Sequence, residues 1–236
     1  EKDGTFTNTE RRVQRVRRAI KPIGNAKADW EIICELSNRM GYPMNYQSPA
    51  EIMDEIASLT PQYAGISYER LGNKGLQWPV PHKDHPGTKF LHEGKFTRGK
   101  GLFAVVDYEL PNELPDEEYP FLLTTGRKLQ HYNISTRFSP ALEEHAPEEL
   151  AEINPVDAKR LGIQDGDKVK VVSRRGEVVT KVWITERVQP GVIFMTFQYK
   201  ESPTNVLTNG AYDKVTKTYE YKVCGVRIEP LVQTAK

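Results

Sequence analysis

The sequence predicts mixed α and β structure: an α-rich N-terminal segment over residues 1–113, followed by a closed β-barrel of mixed connectivity over residues 114–236. Three observations predict it. Before residue 60, apolar side chains recur at three- and four-residue spacing behind helix-start signals. From about Gly65 to Pro120 the chain turns to Gly, Pro, His and Lys with scattered aromatics. Beyond Tyr119, short β-branched segments alternate with turn residues, the pattern of a small barrel.

The first element is expected to be a helix. Thr7-Asn8-Thr9-Glu10 fits a capping box ahead of Val13, Val16 and Ile20, with Pro22 and Gly24 as its end. Asp29 opens a second helix carrying Trp30, Ile33, Leu36 and Met40, with Gly41 placed for a left-handed C-terminal residue. Ser48-Pro49-Ala50-Glu51 starts a third, through Leu59. The irregular stretch that follows is too long for an ordinary connection and suits a segment that crosses a larger protein.

In the second half, Phe121 to Thr125 reads as a buried strand ending at Gly126. Lys168 to Ser173 and Glu177 to Thr185 form a hairpin around Arg174-Arg175-Gly176, and Val192 to Phe197 and Val223 to Ile228 add two strands. Asn154-Pro155-Val156-Asp157 caps a short helix ending at Leu161-Gly162. The barrel is expected to run from about Leu114 to Val232.

Charge and composition narrow the function classes. Lys and Arg number 33 against 32 Asp and Glu, so no global field favours nucleic acid or an anionic membrane. No run of about 18 apolar residues occurs, and the mean hydropathy of −0.60 fits a soluble chain with no membrane span. The start, Glu1-Lys2-Asp3-Gly4, has neither Met nor an apolar leader and reads as the middle of a longer polypeptide. Cys34 and Cys224 lie in apolar surroundings as reduced, buried thiols, which suits a cytoplasmic location. Neither belongs to a CxxC and the five histidines lack ligand spacing, so a metal would take its ligands from elsewhere.

One cluster offers ligand chemistry. Thr124-Thr125-Gly126-Arg127 stands at the end of the first barrel strand, followed by His131-Tyr132-Asn133. Glycine permits close approach of a ligand to the backbone, hydroxyls and freed N–H groups bind phosphate or pterin edges, and Arg127 presents a planar fork. Alone, these four residues read rather as an ordinary strand-to-loop turn with a surface arginine. The remaining candidates read as structural: His82, His85 and His92 with water or backbone, and Glu143, Glu144, Glu148 and Glu149 as surface. The basic run from Arg11 to Lys21 reads as a solvated helix face, with an anion path at Arg11 and Arg12 as a minority reading.

The ordered series Leu123-Thr124-Thr125-Gly126-Arg127, Ile153-Asn154-Pro155-Val156-Asp157-Ala158, Leu161-Gly162-Ile163, Asp165-Gly166-Asp167, Arg174-Arg175-Gly176, Pro190-Gly191-Val192, Asn205-Val206-Leu207-Thr208 and Tyr221-Lys222-Val223-Cys224 resembles the molybdopterin-dinucleotide-binding domain of the dimethyl-sulfoxide-reductase superfamily. The resemblance implies a double-psi β-barrel behind an α-rich segment of a larger α/β body. Gly4 to Gln14, Asp29 to Ile33, Arg39 to Tyr42, Gly75 to Pro79 and Cys224 to Pro230 resemble formate dehydrogenase catalytic subunits in particular, essentially end to end.

What the resemblance implies is specific. The cofactor would be bis-molybdopterin guanine dinucleotide with molybdenum or tungsten, and the reaction the interconversion of formate and carbon dioxide. The 4Fe-4S cluster, the metal-bound Cys or selenocysteine and the catalytic His and Arg would lie in the N-terminal part of the same subunit. This chain would then supply no metal ligand and no turnover alone, and its other partners would be iron–sulfur electron-transfer subunits. Cofactor contacts carried over from the family fall on Thr124, Thr125, Gly126, Arg127, Lys128, Leu129, Gln130, His131, Tyr132, Asn133, Phe197, Gln198, Asn205, Tyr221 and Lys222. After Asn133 the chain departs from the family, reading Ile134-Ser135-Thr136-Arg137-Phe138-Ser139-Pro140 where relatives often carry a second small or His residue and an Arg-Arg-Ser. Shared barrel motifs leave two alternatives: another molybdopterin oxidoreductase such as a nitrate reductase, or a non-catalytic pterin-binding module.

Overall fold

A computed structural model describes residues 1–231; the expected barrel end at Val232 lies outside the described residues. The chain divides into two compact units, Glu1–Val105 and Val106–Lys236.

The first unit opens with a hairpin where a helix was expected. Strands β1 (Gly4–Thr7) and β2 (Arg12–Val16) pair antiparallel, Gly4 opposite Val16 and Thr7 opposite Val13. The apparent capping box is a turn: Asn8 Oδ1 accepts from the N–H groups of Glu10 (3.1 Å) and Arg12 (2.9 Å), and Arg11 takes φ 67°. An Asn side chain that closes its own turn in this way competes with helix initiation, and sheet pairing then buries Val13. Arg11 and Arg12 leave the anion-path reading behind. The Arg11 guanidinium donates to the carbonyls of Trp78, Thr88 and Lys89, and Arg12 Nε pairs with Glu10 at 2.8 Å.

Helices α1 (Asp29–Arg39) and α2 (Pro49–Leu59) form as their caps predict. Glu31 accepts from Ala28 N–H, Ser48 Oγ accepts from Glu51 N–H, and Gly41 takes φ 84°. Along α1 only Cys34 is buried, leaving the apolar stripe Ile33, Leu36, Met40 exposed. Helix α3 (Tyr68–Leu71) and strand β3 (Leu76–Gln77) complete the unit, β3 pairing with β2. Val13, Met53, Ile66, Leu71 and Val80 make its core.

The second unit is a closed six-stranded barrel built from β4 (Phe121–Gly126), β5 (Leu150–Ile153), β6 (Lys168–Ser173), β7 (Glu177–Ile184), β8 (Val192–Thr196) and β9 (Cys224–Pro230), in the order β4-β8-β5-β7-β6-β9. Helices α4 (Pro140–His145) and α5 (Pro155–Leu161) connect them, α5 capped by Asn154 Oδ1 and ended by Gly162 at φ 69°. The hairpin β6–β7, strands β4, β8 and β9, and α5 stand where their patterns predict, whereas β5 and α4 carry no pattern that predicts them. Leu123, Ile153, Val171, Ile193, Met195 and Val226 fill the interior, each full burial stabilising by about 1.5–3 kcal/mol. Glu113 straps the chain ahead of β4 to the wall: its carboxylate takes both Arg175 nitrogens (2.6 and 2.9 Å) and the Gly225 N–H. Burial opposes that charge, but the Arg175 pair and the Gly225 N–H hold the carboxyl below its ordinary value.

Among the described residues no helix is long and apolar enough to cross a membrane, and no group of three or more His, Cys, Asp or Glu could hold a metal ion.

Candidate functional site

The site is set by one pairing. Strands β4 and β8 run parallel with Gly126 opposite Thr196, so the segments that follow them leave the barrel side by side and Arg127 stands next to Phe197. The loop after β4 curls back on itself. Arg127 Nε donates to Tyr132 O (2.8 Å) and to Asn133 Oδ1 (3.3 Å), which lays the guanidinium over the Tyr132 ring at 4.3 Å and within 5.9 Å of Phe197. Asn205, Thr208, Asn209, Gly210, Tyr219 and Tyr221 complete a cleft of about 450 Å³. Asn209 fixes its floor by donating through Nδ2 to Val223 O (2.8 Å), and Thr125 Oγ1 donates to Tyr221 O (3.3 Å).

Of the predicted residues, Arg127, Phe197, Asn205 and Tyr221 line this cleft, and the others have different tasks. Thr124, Gly126, Gln130, Asn133 and Phe197 are half-buried, Tyr132, Asn205, Tyr221 and Lys222 are exposed, and Leu129 points almost wholly outward. Gly126 serves its own chain: a Cβ there would meet the Phe194 ring at 2.8 Å, so the space it frees seats that ring. His131 is fully buried; Nε2 donates to Ala146 O (2.9 Å) and Nδ1 lies 3.3 Å from Thr136 Oγ1, so both nitrogens are engaged inside the barrel unit. Lys128 Nζ donates to Glu148 O (3.0 Å) over the Tyr199 ring, and burial lowers its pKa.

The acidic cluster expected at the surface divides. Glu143 and Glu148 are ion-paired, to Arg137 and Lys181, while Glu149 is buried. Glu149 immediately precedes β5 and continues the inward face of Ala151 and Ile153, both core residues, a register visible only once the strand is known. Glu152, on the opposite face, lies between Phe194 and Trp183 across the neighbouring strands and lines a second cleft, of about 600 Å³, with Arg127 and Lys128 at its edge. Only 3% exposed, it has Arg187 Nη1 at 3.6 Å and accepts no hydrogen bond from the described residues.

Burial pushes the Glu152 carboxyl above its ordinary 4.5, with Arg187 and Lys128 opposing. A carboxyl raised by folding contributes stability that is fully present below its unfolded pKa and is lost as pH rises through the folded one. Glu152→Gln should therefore melt higher than the parent at pH 8, with the difference vanishing near pH 4. Thermal unfolding at the two pH values checks this, and a gain independent of pH would refute it.

Residues 121–225 match the family described as the molydopterin dinucleotide binding domain, and residues 1–39 match the molybdopterin oxidoreductase family. The barrel, from β4 into β9, thus matches a molybdopterin dinucleotide-binding domain. Beyond it, the chain is 50% identical over 237 residues to the F420-dependent formate dehydrogenase 2 subunit alpha of Methanococcus maripaludis, covering 98% of this chain and 35% of that protein. It is 40% identical over 239 residues to formate dehydrogenase H of Escherichia coli, covering 98% and 33%. The chain thus spans about a third of the length of the curated relatives it matches. In fold it resembles acetylene hydratase from Pelobacter acetylenicus, with a TM-score of 0.67 at 16% identity over 98% of this chain and 37% of that one.

The dinucleotide-binding domain keeps buried polar atoms that want a partner. Among the described residues, Gln198, 1% exposed, has no hydrogen-bond partner for either amide atom, and Thr204 Oγ1 is equally alone. Each is the chain neighbour of a first-cleft residue, Phe197 and Asn205, although neither itself lines the cleft. Leaving such groups unpaired costs about 1–3 kcal/mol apiece. At the cleft wall the Asn205 side-chain amide presents donors and an acceptor, the complement of a pterin edge, and Arg127 supplies charge for a phosphate. The residues present fit the dinucleotide.

Proposed function

We propose that this chain is the C-terminal, cofactor-binding part of a formate dehydrogenase catalytic subunit that interconverts formate and carbon dioxide. The observation that carries this reading is the 50% identity to a formate dehydrogenase alpha subunit over nearly the whole chain, the first unit included. The cofactor in this reading is bis-molybdopterin guanine dinucleotide with molybdenum or tungsten. When bound, that centre supplies the two-electron redox chemistry. Arg127 and Lys222 offset negative charge on the dinucleotide, Phe197 packs against a ring face, and Gln198, Asn205 and Asn133 pair with ring heteroatoms. Tyr221 walls the cleft and Tyr132 carries the Arg127 guanidinium, while Thr124, Thr125, Gly126, Lys128 and His131 hold the loop in place and Leu129 and Gln130 line the second cleft.

The metal ligand and a 4Fe-4S cluster belong, in this reading, to the N-terminal part of the same subunit, with electrons leaving through iron–sulfur partner subunits. We read the barrel as double-psi, supported by its two parallel pairs, β4 with β8 and β5 with β7, in an otherwise antiparallel closed wall. The two buried free thiols favour a cytoplasmic setting. The test is to purify the full-length polypeptide from its native host and measure formate-dependent dye reduction together with metal, pterin and GMP content. Molybdenum or tungsten, released GMP and formate activity are expected. Nitrate reduction with no formate activity would transfer the domain to another oxidoreductase, and absence of pterin would overturn the reading.

A further inference from the structure

The four residues Ala146 to Glu149, between α4 and β5, touch both segments that border the first cleft. Towards the loop after β4 they offer two carbonyls: Ala146 O accepts from His131 Nε2 (2.9 Å), and Glu148 O accepts from Lys128 Nζ (3.0 Å). Towards the end of β8 they offer a carboxylate. Glu149 Oε1 accepts from Thr196 N–H at 3.0 Å, and its Oε2 accepts from the Thr196 hydroxyl. Tyr199 adds a third tie, its hydroxyl donating to Ala146 O at 2.6 Å. Glu149, Thr196, His131 and Tyr199 are all at most 3% exposed.

A buried carboxylate is a poor choice for stability alone, because desolvation offsets most of what its contacts return. What it offers is direction: two acceptor oxygens on one rigid plane, both bonded to Thr196, with Oε1 also taking the Leu150 N–H at 3.1 Å. Thr196 is the last residue of β8 and stands immediately before Phe197, while Lys128 stands immediately after Arg127.

We propose that Glu149 is a positioning residue of the dinucleotide site, anchoring Thr196 directly and, through its neighbours Ala146 and Glu148, the loop that carries Arg127. The separation of Arg127 and Phe197 is then set by this segment rather than by the two strands alone. The identity of the ligand rests on the reading above; the positioning itself does not.

Hydrogen exchange in the full-length polypeptide tests it, with pterin content as the second readout. Glu149→Ala should speed exchange of the amides in residues 128–133 and 197–200 about ten-fold, well below the unfolding temperature, as local opening becomes easier, and should lower pterin per polypeptide. Glu149→Gln keeps the acceptor for Thr196 N–H and should fall between the two. Val171→Ala, a core truncation on β6, should lower the melting temperature without moving exchange in either segment. If Glu149→Ala does not fold, Thr196→Val, which removes only the hydroxyl, should loosen the same two segments. Unchanged exchange in Glu149→Ala or Thr196→Val, or an equal acceleration by Val171→Ala, would overturn the proposal. Loosened segments in a protein whose parent releases no pterin would leave the positioning standing and remove the ligand assignment.

Discussion

Gly75→Ala is expected to unfold the first unit, at a cost of about 3–5 kcal/mol. Gly75 sits between α3 and β3 at φ 67°, and a Cβ there would come 2.4 Å from Val13 O. That oxygen belongs to the main chain of β2, which is held by β1 on one side and β3 on the other, so it has nowhere to move. The left-handed backbone and the clash therefore add, against a total stability of about 5–15 kcal/mol for a typical domain. Gly41→Ala separates the two effects. Gly41 has φ 84°, and a methyl group there would find no neighbour within 4 Å, so only the backbone strain applies. Limited proteolysis within residues 1–105 reads both variants. Equal resistance in the two would show that the β2 carbonyl does not constrain the position.

On the proposed reading, Arg127→Ala is expected to strip the dinucleotide from the full-length polypeptide. The guanidinium is held over Tyr132 by its own Nε, which leaves its terminal nitrogens for a ligand at the mouth of the cleft. Losing a charge-assisted hydrogen bond of about 1.5–3 kcal/mol weakens binding roughly 10- to 100-fold. Arg127→Lys keeps the charge but neither the fork nor the stack, and should recover only part of the loss. Metal and pterin content after gel filtration decides the matter. Full content in Arg127→Ala would remove the residue from the site.

The barrel was legible because its strands are β-branched, alternate in polarity and end at recognisable turns; Lys168 to Ile184 shows all three signals. Strand β5 escaped because Leu150-Ala151-Glu152-Ile153 is four residues long with a carboxylate in the middle, and only pairing on both sides makes it a strand. The first hairpin departs from expectation because Thr7-Asn8-Thr9-Glu10 satisfies a helix-start pattern whose alternative, an Asn-closed turn, needs the distant β3 to hold β2 in place. At the site, Arg127, Phe197 and Asn205 were readable from motif order and meet in one cleft. Glu149 was not, because a glutamate among glutamates beside proline reads as solvent-exposed until its inward register is known.

The parallel pairing of β4 with β8 has a kinetic side. Gly126 and Thr196 are roughly 70 residues apart along the chain, and bringing such ends together costs about 4 kcal/mol of loop-closure entropy before their contacts form. The cleft thus cannot exist on a partly synthesised chain: while β8 is still in the ribosome, the loop carrying Arg127 has neither Phe197 beside it nor Thr196 to bind Glu149. Closing the barrel late makes readiness to receive a ligand coincide with completion of the fold, so a polypeptide truncated before Val192 would retain the Thr124 to Arg127 motif but have no cleft to hold a dinucleotide.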